Sequence, residues 1–409
     1  MDELIRLSRH LIRTHHRPYE RRFLQGNPFR SRFSILLGQR GVGKTTAIVQ
    51  HVLHVTRGGS ESGKVLYVPA DHFRVNRSSL YEIAEAFHNT GGELICFDEI
   101  HKHSSWSSEL KSLYDTFPSL SVIASGSSAL EILKGSHDLS RRVIVSRLSG
   151  LSFREYAEMR LGLTLPVLTL EDILAHHEKR AETIIRQVET LKKKVLGLFR
   201  EYLVQGYYPY FTDFPEAEHY GTVVEQGMHT TLEVDLPAVH PALNGASIQK
   251  IKKLLSYIAS SVPFTPDMRK LKGLMDIGDE RTLKTYLSYL EDAGVIRCLP
   301  QSGKGLGRLG KPGKIYLNNA SQYFAIQGNV ENAGSVRETF FLSVLSESHT
   351  LAFPPQGDFL VDNEMVFEVG GRKKDFSQVR DLKNAYLALD DMEAGTGRKI
   401  PLWLFGFLY

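Results

Sequence analysis

From Ile35 to Thr46 the chain reads ILLGQRGVGKTT, an apolar run that opens into a glycine-rich loop and closes on Lys44 and Thr45. Gly38, Gly43, Lys44 and Thr45 meet every fixed position of the phosphate-loop pattern GxxxxGK[ST], which works only between a strand and a helix. That one stretch therefore predicts an α/β domain with a parallel sheet. Its chemistry is specific to phosphate. Gly38, Gly41 and Gly43 let the backbone turn with its NH groups inward, and Arg40, Val42 and Thr46 complete a cradle ending at a helix N-terminus. Lys44 would set a point charge against β- and γ-phosphates, and the Thr45 hydroxyl is a hard oxygen ligand for Mg²⁺. A glycine-rich strand-to-helix connection without a ligand is the alternative, and the flanking context speaks against it. A nucleoside triphosphate with Mg²⁺ is the expected ligand.

The second informative stretch is ELICFDE at 93–99, an apolar strand ending in two carboxylates. Asp98 would hold Mg²⁺ and Glu99 would orient and polarise an attacking water. One strand-helix unit lies between the two motifs, which places another strand between theirs in the sheet. The next apolar run, 120–124, ends in Ser125, Gly126, Ser127 and Ser128. A hydroxyl at that strand tip would sense a γ-phosphate, with Ser125 the candidate; an ordinary helix cap by Ser127 or Ser128 is the competing use. Arg141 or Arg142 would serve as an arginine finger, in cis or from a neighbouring subunit, or simply as surface charge.

These residues, with FDEIHK at 97–102 and LSGLSFREY at 148–156, resemble the prokaryotic AAA+ ATPases that carry a C-terminal region of the DUF4143 type. The likeness extends over nearly the whole chain. It implies ATP as the nucleotide, Glu99 as catalytic glutamate, Ser125 in the place of a threonine found in many relatives, and an additional-strand AAA+ sheet.

At 409 residues the chain is long for one core. With 42% hydrophobic and 23% charged residues it has globular composition, and a formal charge of +4 permits nucleic-acid contact without arguing for it. Two cysteines, Cys96 and Cys298, sit in apolar runs and read as buried thiols. The first residues lack the apolar core of a signal peptide, and no apolar run approaches a membrane span, so a cytoplasmic protein without membrane contact is expected.

Four segments are expected: an ATPase domain over 1–160 with a basic helical lead-in that includes Arg21, Arg22, Arg30 and Arg32, a helical lid or connector over 161–245, a winged helix-turn-helix over 246–330, and a PD-(D/E)XK nuclease-like α/β domain over 331–409. In the third, helices over 248–258, from Thr265 as cap with Pro266 behind it, and over 280–293 precede strands at 295–299 and 314–317. Arg281, Thr282, Lys284 and Thr285 would face a DNA groove, and Lys304, Arg308 and Lys311 of the wing would meet phosphates. Use as a protein-interaction module is the alternative. In the fourth, a helix with Glu338, strands at 357–361 and 365–370, a helix at 376–389 and a closing run at 400–404 are expected. Asp358 and Glu368 satisfy the carboxylates of a nuclease, but Gly370 stands where its lysine belongs; Lys373 or Lys374 would have to supply it. The pattern favours a degenerate, structural or binding domain there.

The expected function is a nucleotide-driven switch with Mg²⁺-dependent ATP hydrolysis, coupled to DNA or a protein partner. Its alternatives are a DNA-binding regulator with ATP as conformational ligand, and an ATP-gated endonuclease through Asp358 and Glu368.

Overall fold

The computed structural model describes the chain except for residues 60–62, 76–77, 127–138, 140, 262, 304–311 and 329–332. It falls into two compact units, Met1–Gly150 with Ala238–Pro241, and Leu151–Pro237 with Ala242–Tyr409.

In the first unit the order is α1 (Asp2–His15), β1 (Phe33–Leu37), α2 (Lys44–Val55), β2 (Val65–Pro69), α3 (Leu80–Asn89), β3 (Leu94–Asp98), α4 (Trp106–Thr116), β4 (Ser121–Gly126) and β5 (Ile144–Arg147). The five strands are parallel in the order β2-β3-β4-β1-β5. All five residues of β1 are buried, as a strand covered on both faces requires, and Phe33, Ile35, Phe87, Ile95 and Phe97 join one core. The expected strand between the two motif strands is β4. Local chemistry sets the helix starts: at α3, Ser79 and Glu82 exchange hydrogen bonds of 3.0 Å in a capping box. The basic lead-in helix α1 is packed, and its Ser8 hydroxyl accepts a 2.8 Å hydrogen bond from the backbone NH of Tyr67, satisfying a donor on edge strand β2.

The second unit opens with α5 (Phe153–Leu161), α6 (Leu170–Glu189), α7 (Val195–Gln205) and α8 (Ala217–Thr230). Then come α9 (Gly245–Ser260), α10 (Met268–Leu274), α11 (Glu280–Asp292) and an antiparallel ribbon of β6 (Ile296–Leu299) and β7 (Lys314–Leu317). After α12 (Ala320–Gln327) and α13 (Ala333–Leu345), β8 (Leu351–Ala352), β9 (Phe359–Val361), β10 (Met365–Gly370), β11 (Ala385–Leu389) and β12 (Lys399–Pro401) form a mixed sheet in the order β12-β11-β10-β9-β8.

Two local expectations are corrected. Helix α10 is capped by Asp267, whose carboxylate accepts from the NH groups of Arg269 and Lys270 at 3.0 and 3.1 Å; Thr265 is not the cap, because Phe264 pairs its backbone with Ile315 and holds the chain extended there. Residues 376–389 are not a helix: turns lead into β11, which pairs in parallel with both β10 and β12. A buried strand flanked on both sides needs a short continuous apolar run, and periodicity cannot separate that from a helix.

Candidate nucleotide site

The loop after β1 shows why its glycines are glycines. Gly43 adopts φ 98° as the cap residue of α2, a left-handed conformation that L side chains resist. At Gly38 a Cβ would collide with the Leu148 carbonyl oxygen, on the chain that continues from β5. Behind the loop Arg21, nearly buried, donates from Nη1 to the carbonyls of Val42 (3.3 Å) and Ser149 (2.6 Å) and from Nη2 to Gly150 (2.9 Å). The sequence reading had Arg21 only as part of a basic lead-in; its three carbonyl partners are remote in sequence, so nothing local marks it as a clamp.

Lys44 is 5% exposed and folds back over the loop, donating to the carbonyls of Gly38 (3.0 Å) and Gln39 (3.1 Å). Arg40 lies exposed at the tip, Val42 is buried, and Thr46 is half-buried in the first turn of α2.

The order of the sheet brings the ends of β1, β4 and β3 together, where Asp98 gathers the site. Its Oδ2 accepts from Thr45 Oγ1 at 2.6 Å and from the Tyr67 hydroxyl at 2.5 Å; its Oδ1 accepts from the Ser125 hydroxyl and, at 3.2 Å, from the Glu99 NH. Ser125 Oγ in turn accepts from the Glu99 NH at 3.1 Å. Burial, and then the Asp98 charge, raise the Tyr67 phenol far above its ordinary value, so it remains a hydrogen-bond donor. The same two causes raise the Cys96 thiol, which is an inert buried group. Glu99 sits in the left-handed region at φ 53°, a conformation costing roughly 1 kcal/mol that a site residue can carry only when its surroundings enforce it. Its carboxylate lies 3.6 Å from Lys44 Nζ and 3.5 Å from Nε2 of the buried His101. Tyr67 and His101 are the members that sequence reasoning missed; Tyr67 comes from a neighbouring strand with no motif of its own.

Ser127 and Ser128 lie outside the described residues. Arg142 stands at the amino end of β5: Ile144 pairs with Ser34 at the start of β1, whereas the phosphate loop follows Leu37, whose partner is Arg147. Within its own sheet Arg142 is thus at the edge remote from the loop, where its guanidinium makes hydrogen bonds of 3.1 and 3.2 Å to the Asp115 carboxylate. That placement leaves only the trans form of the finger reading. Of the helix residues proposed for a groove, Arg281 and Thr285 are exposed on α11, Thr282 is half-buried, and Lys284 is ion-paired with Glu280 at 3.1 Å. Lys304, Arg308 and Lys311 lie outside the described residues.

A second charged cluster lies wholly in the second unit. Lys314 Nζ, from β7, is 3.2 Å from both Glu338 Oε2 on α13 and Asp358 Oδ1 beside β9, and the Tyr316 hydroxyl donates to Glu338 Oε2 at 2.7 Å. Asp358 Oδ2 accepts from the Val369 NH at 3.0 Å. Glu368 on β10 is fully buried; its Oε1 carries the Lys374 ammonium. Burial raises both Glu338 and Glu368 above the usual carboxylate range, with Asp358 adding to the rise. The candidate lysine is corrected here. Lys373 is exposed, whereas a tight turn, with the Lys374 NH on the Gly371 carbonyl at 2.9 Å, swings Lys374 back over β10. A Cβ on Gly370 would meet the Cβ, Cγ and Cδ of Lys374 at 2.8, 2.9 and 3.1 Å, so the Lys374 stem fills the space of the side chain that Gly370 lacks.

Comparison with known proteins adds the following. Residues 30–157 match the family model of an AAA domain. Residues 196–332 match a domain of unknown function, DUF8612, where the sequence reading expected a DUF4143-type region. No curated protein matches the chain. Among solved structures, PCH-2 of C. elegans is 14% identical with a TM-score of 0.25, over 71% of this chain and 67% of that one. The Hsp104–ADP complex of S. cerevisiae has the same identity and score, over 71% and 39%. A katanin self-assembly structure is 17% identical with a TM-score of 0.21, over 47% and 72%. Scores this low carry no argument. Among the described residues no helix is long and apolar enough to cross a membrane. The matched segment, its parallel sheet and its phosphate loop make residues 30–157 an AAA-type nucleotide-binding domain.

Proposed function

We propose that the first unit binds ATP with Mg²⁺ and hydrolyses it. The observation that carries this is the meeting of Thr45 Oγ1 and Asp98 Oδ2 at 2.6 Å, two hard oxygens from separate motifs at one point beside Lys44. That donor set suits Mg²⁺, which when bound neutralises phosphate charge. Lys44 exchanges its loop carbonyls for phosphate oxygens. Glu99, freed from Lys44 by that exchange, orients the attacking water and takes up its proton at the carboxylate. Ser125, bonded to both Asp98 and the Glu99 NH, ties the strand tip of β4 to the catalytic pair and is positioned to report on the phosphate.

We further read the nucleotide state as a switch acting on partner binding by the second unit, DNA through α11 and the β6–β7 ribbon being one partner and a protein the other. Steady-state ATP hydrolysis by wild type and Lys44→Ala, with and without double-stranded DNA at two salt concentrations, tests this. Lys44-dependent turnover supports the ATPase, and DNA stimulation adds the DNA partner. ATP binding without turnover favours a regulator that uses ATP as a conformational ligand, and absence of both overturns the reading.

A second reading, an ATP-gated endonuclease through Asp358 and Glu368, is favoured by the Lys374 stem lying over Gly370. Glu338, Asp358 and Glu368 would hold the divalent cation, which polarises a phosphodiester, while Lys374 holds the attacking water. Plasmid incubated with Mg²⁺ or Mn²⁺ and wild type, but not Asp358→Ala, should be nicked; intact plasmid in both removes the reading.

A further inference from the structure

The second cluster draws five charged side chains from separate segments: Lys314 from β7, Glu338 from α13, Asp358 ahead of β9, Glu368 from β10 and Lys374 from the turn that follows. Three carboxylates in one place repel one another unless a cation stands among them. The structure supplies that cation from the chain itself. Lys314 Nζ is equidistant, at 3.2 Å, from one oxygen of Glu338 and one of Asp358, and all three side chains are 12–15% exposed. Among the described residues no three acidic, histidine or cysteine side chains form a complete metal-ligand set, and here the Lys314 ammonium stands between two of them. A separate observation points to a missing ligand: Glu368 Oε2 is buried with no hydrogen-bond partner among the described residues, while Oε1 of the same group holds Lys374. A buried carboxylate oxygen left without a donor is costly, and a hard cation would satisfy it.

We propose that Glu338, Asp358 and Glu368 form a divalent-cation site and that Lys314 is its resident competitor, a built-in counter-ion that must leave the carboxylates before a cation can bind. The inference rests on the second reading above for its choice of cation and concerns the regulation of that same site. Lys314 belongs to the β6–β7 ribbon, whereas the carboxylates belong to α13 and the sheet. A displacement of the ribbon would therefore load or unload the site.

Calorimetric titration of the nucleotide-free full chain with Mn²⁺ alone tests this, comparing wild type, Lys314→Met, Lys314→Arg and the double variant Lys314→Met/Asp358→Asn. Removing an ammonium that holds two carboxylates should tighten Mn²⁺ binding by about ten-fold or more. Lys314→Arg, which keeps the charge, should behave as wild type, and the double variant should lose the gain. Thermal melts of the four proteins identify any that do not fold, and Lys314→Gln replaces Lys314→Met if that one fails. Equal Mn²⁺ affinity in wild type and the neutral variant overturns the competitor role. No Mn²⁺ binding by either overturns the site itself. Tight binding without plasmid cleavage leaves this inference standing and removes the endonuclease reading.

Discussion

Asp98 and Glu368 are both carboxylates on buried central strands, yet the chain answers their charge in different ways. Around Asp98 the partners are neutral: three hydroxyls, from Thr45, Tyr67 and Ser125, and one backbone NH. Glu368 and its neighbours are answered by ammonium groups, Lys374 and Lys314. Neutral donors stabilise a carboxylate without cancelling its charge, so the Asp98 site still attracts a cation that arrives with its ligand. Ammonium partners cancel most of the charge, so the second cluster is closed to a cation until a lysine moves. The kind of partner, more than the number of carboxylates, decides whether an acidic site is open.

The comparison is most exposed at Lys44. Lys44→Ala should lower ATP turnover by about 10³-fold, the range for loss of one charge-stabilising donor at a reacting centre, measured by steady-state hydrolysis. A variant with near wild-type turnover would mean the first site is not the working one. Next in size is the second cluster. Lys374→Met leaves Glu368 buried without its ammonium and should destabilise that unit by about 3 kcal/mol in denaturant unfolding. A cost near zero would show that Glu368 is neutral in the folded chain, and the contrast drawn above would fail.

Glu99→Gln should keep nucleotide binding while slowing turnover by about 10²-fold, which a binding titration beside a turnover assay separates. Tyr67→Phe removes one of four donors to Asp98 and should cost about 1 kcal/mol in stability or a similarly modest loss of turnover. A collapse as large as that of Lys44→Ala would make Tyr67 a full member of the site and sharpen the picture of Asp98. Smallest is a pH effect. His51 lies against the Phe29 ring at 4.8 Å, and burial, then the His54 charge, lower its pKa to about 4. The unfolded chain near 6.5 binds the proton first, so the stability His51 contributes is complete above that value and is lost as pH falls towards about 4. Thermal melts of wild type and His51→Asn over that window should converge on acidification.

What could be read without a structure was read where chemistry is contiguous. The phosphate loop needs its glycines, lysine and threonine within eight residues because one turn of backbone must wrap one phosphate chain, and the strand ending in Asp98 and Glu99 is marked by its own burial. From these alone followed the parallel sheet, the intervening strand and the principal members of the nucleotide site. Capping boxes and the ribbon strands were equally local. Everything that depends on who stands opposite whom was left to the tertiary structure. Tyr67, His101 and Arg21 reach the site across strands or from outside the motifs, and register places Arg142 at the far edge of its sheet. A turn rather than a spacing returns Lys374 to the place above Gly370. Residues 376–389 looked helical because a short apolar run carries no period of its own, and only pairing with β10 and β12 makes its end a strand. Side-chain chemistry is written along the chain, but charge balance is a property of neighbours in space. That is why a motif could be recognised from its letters and the state of the second cluster could not.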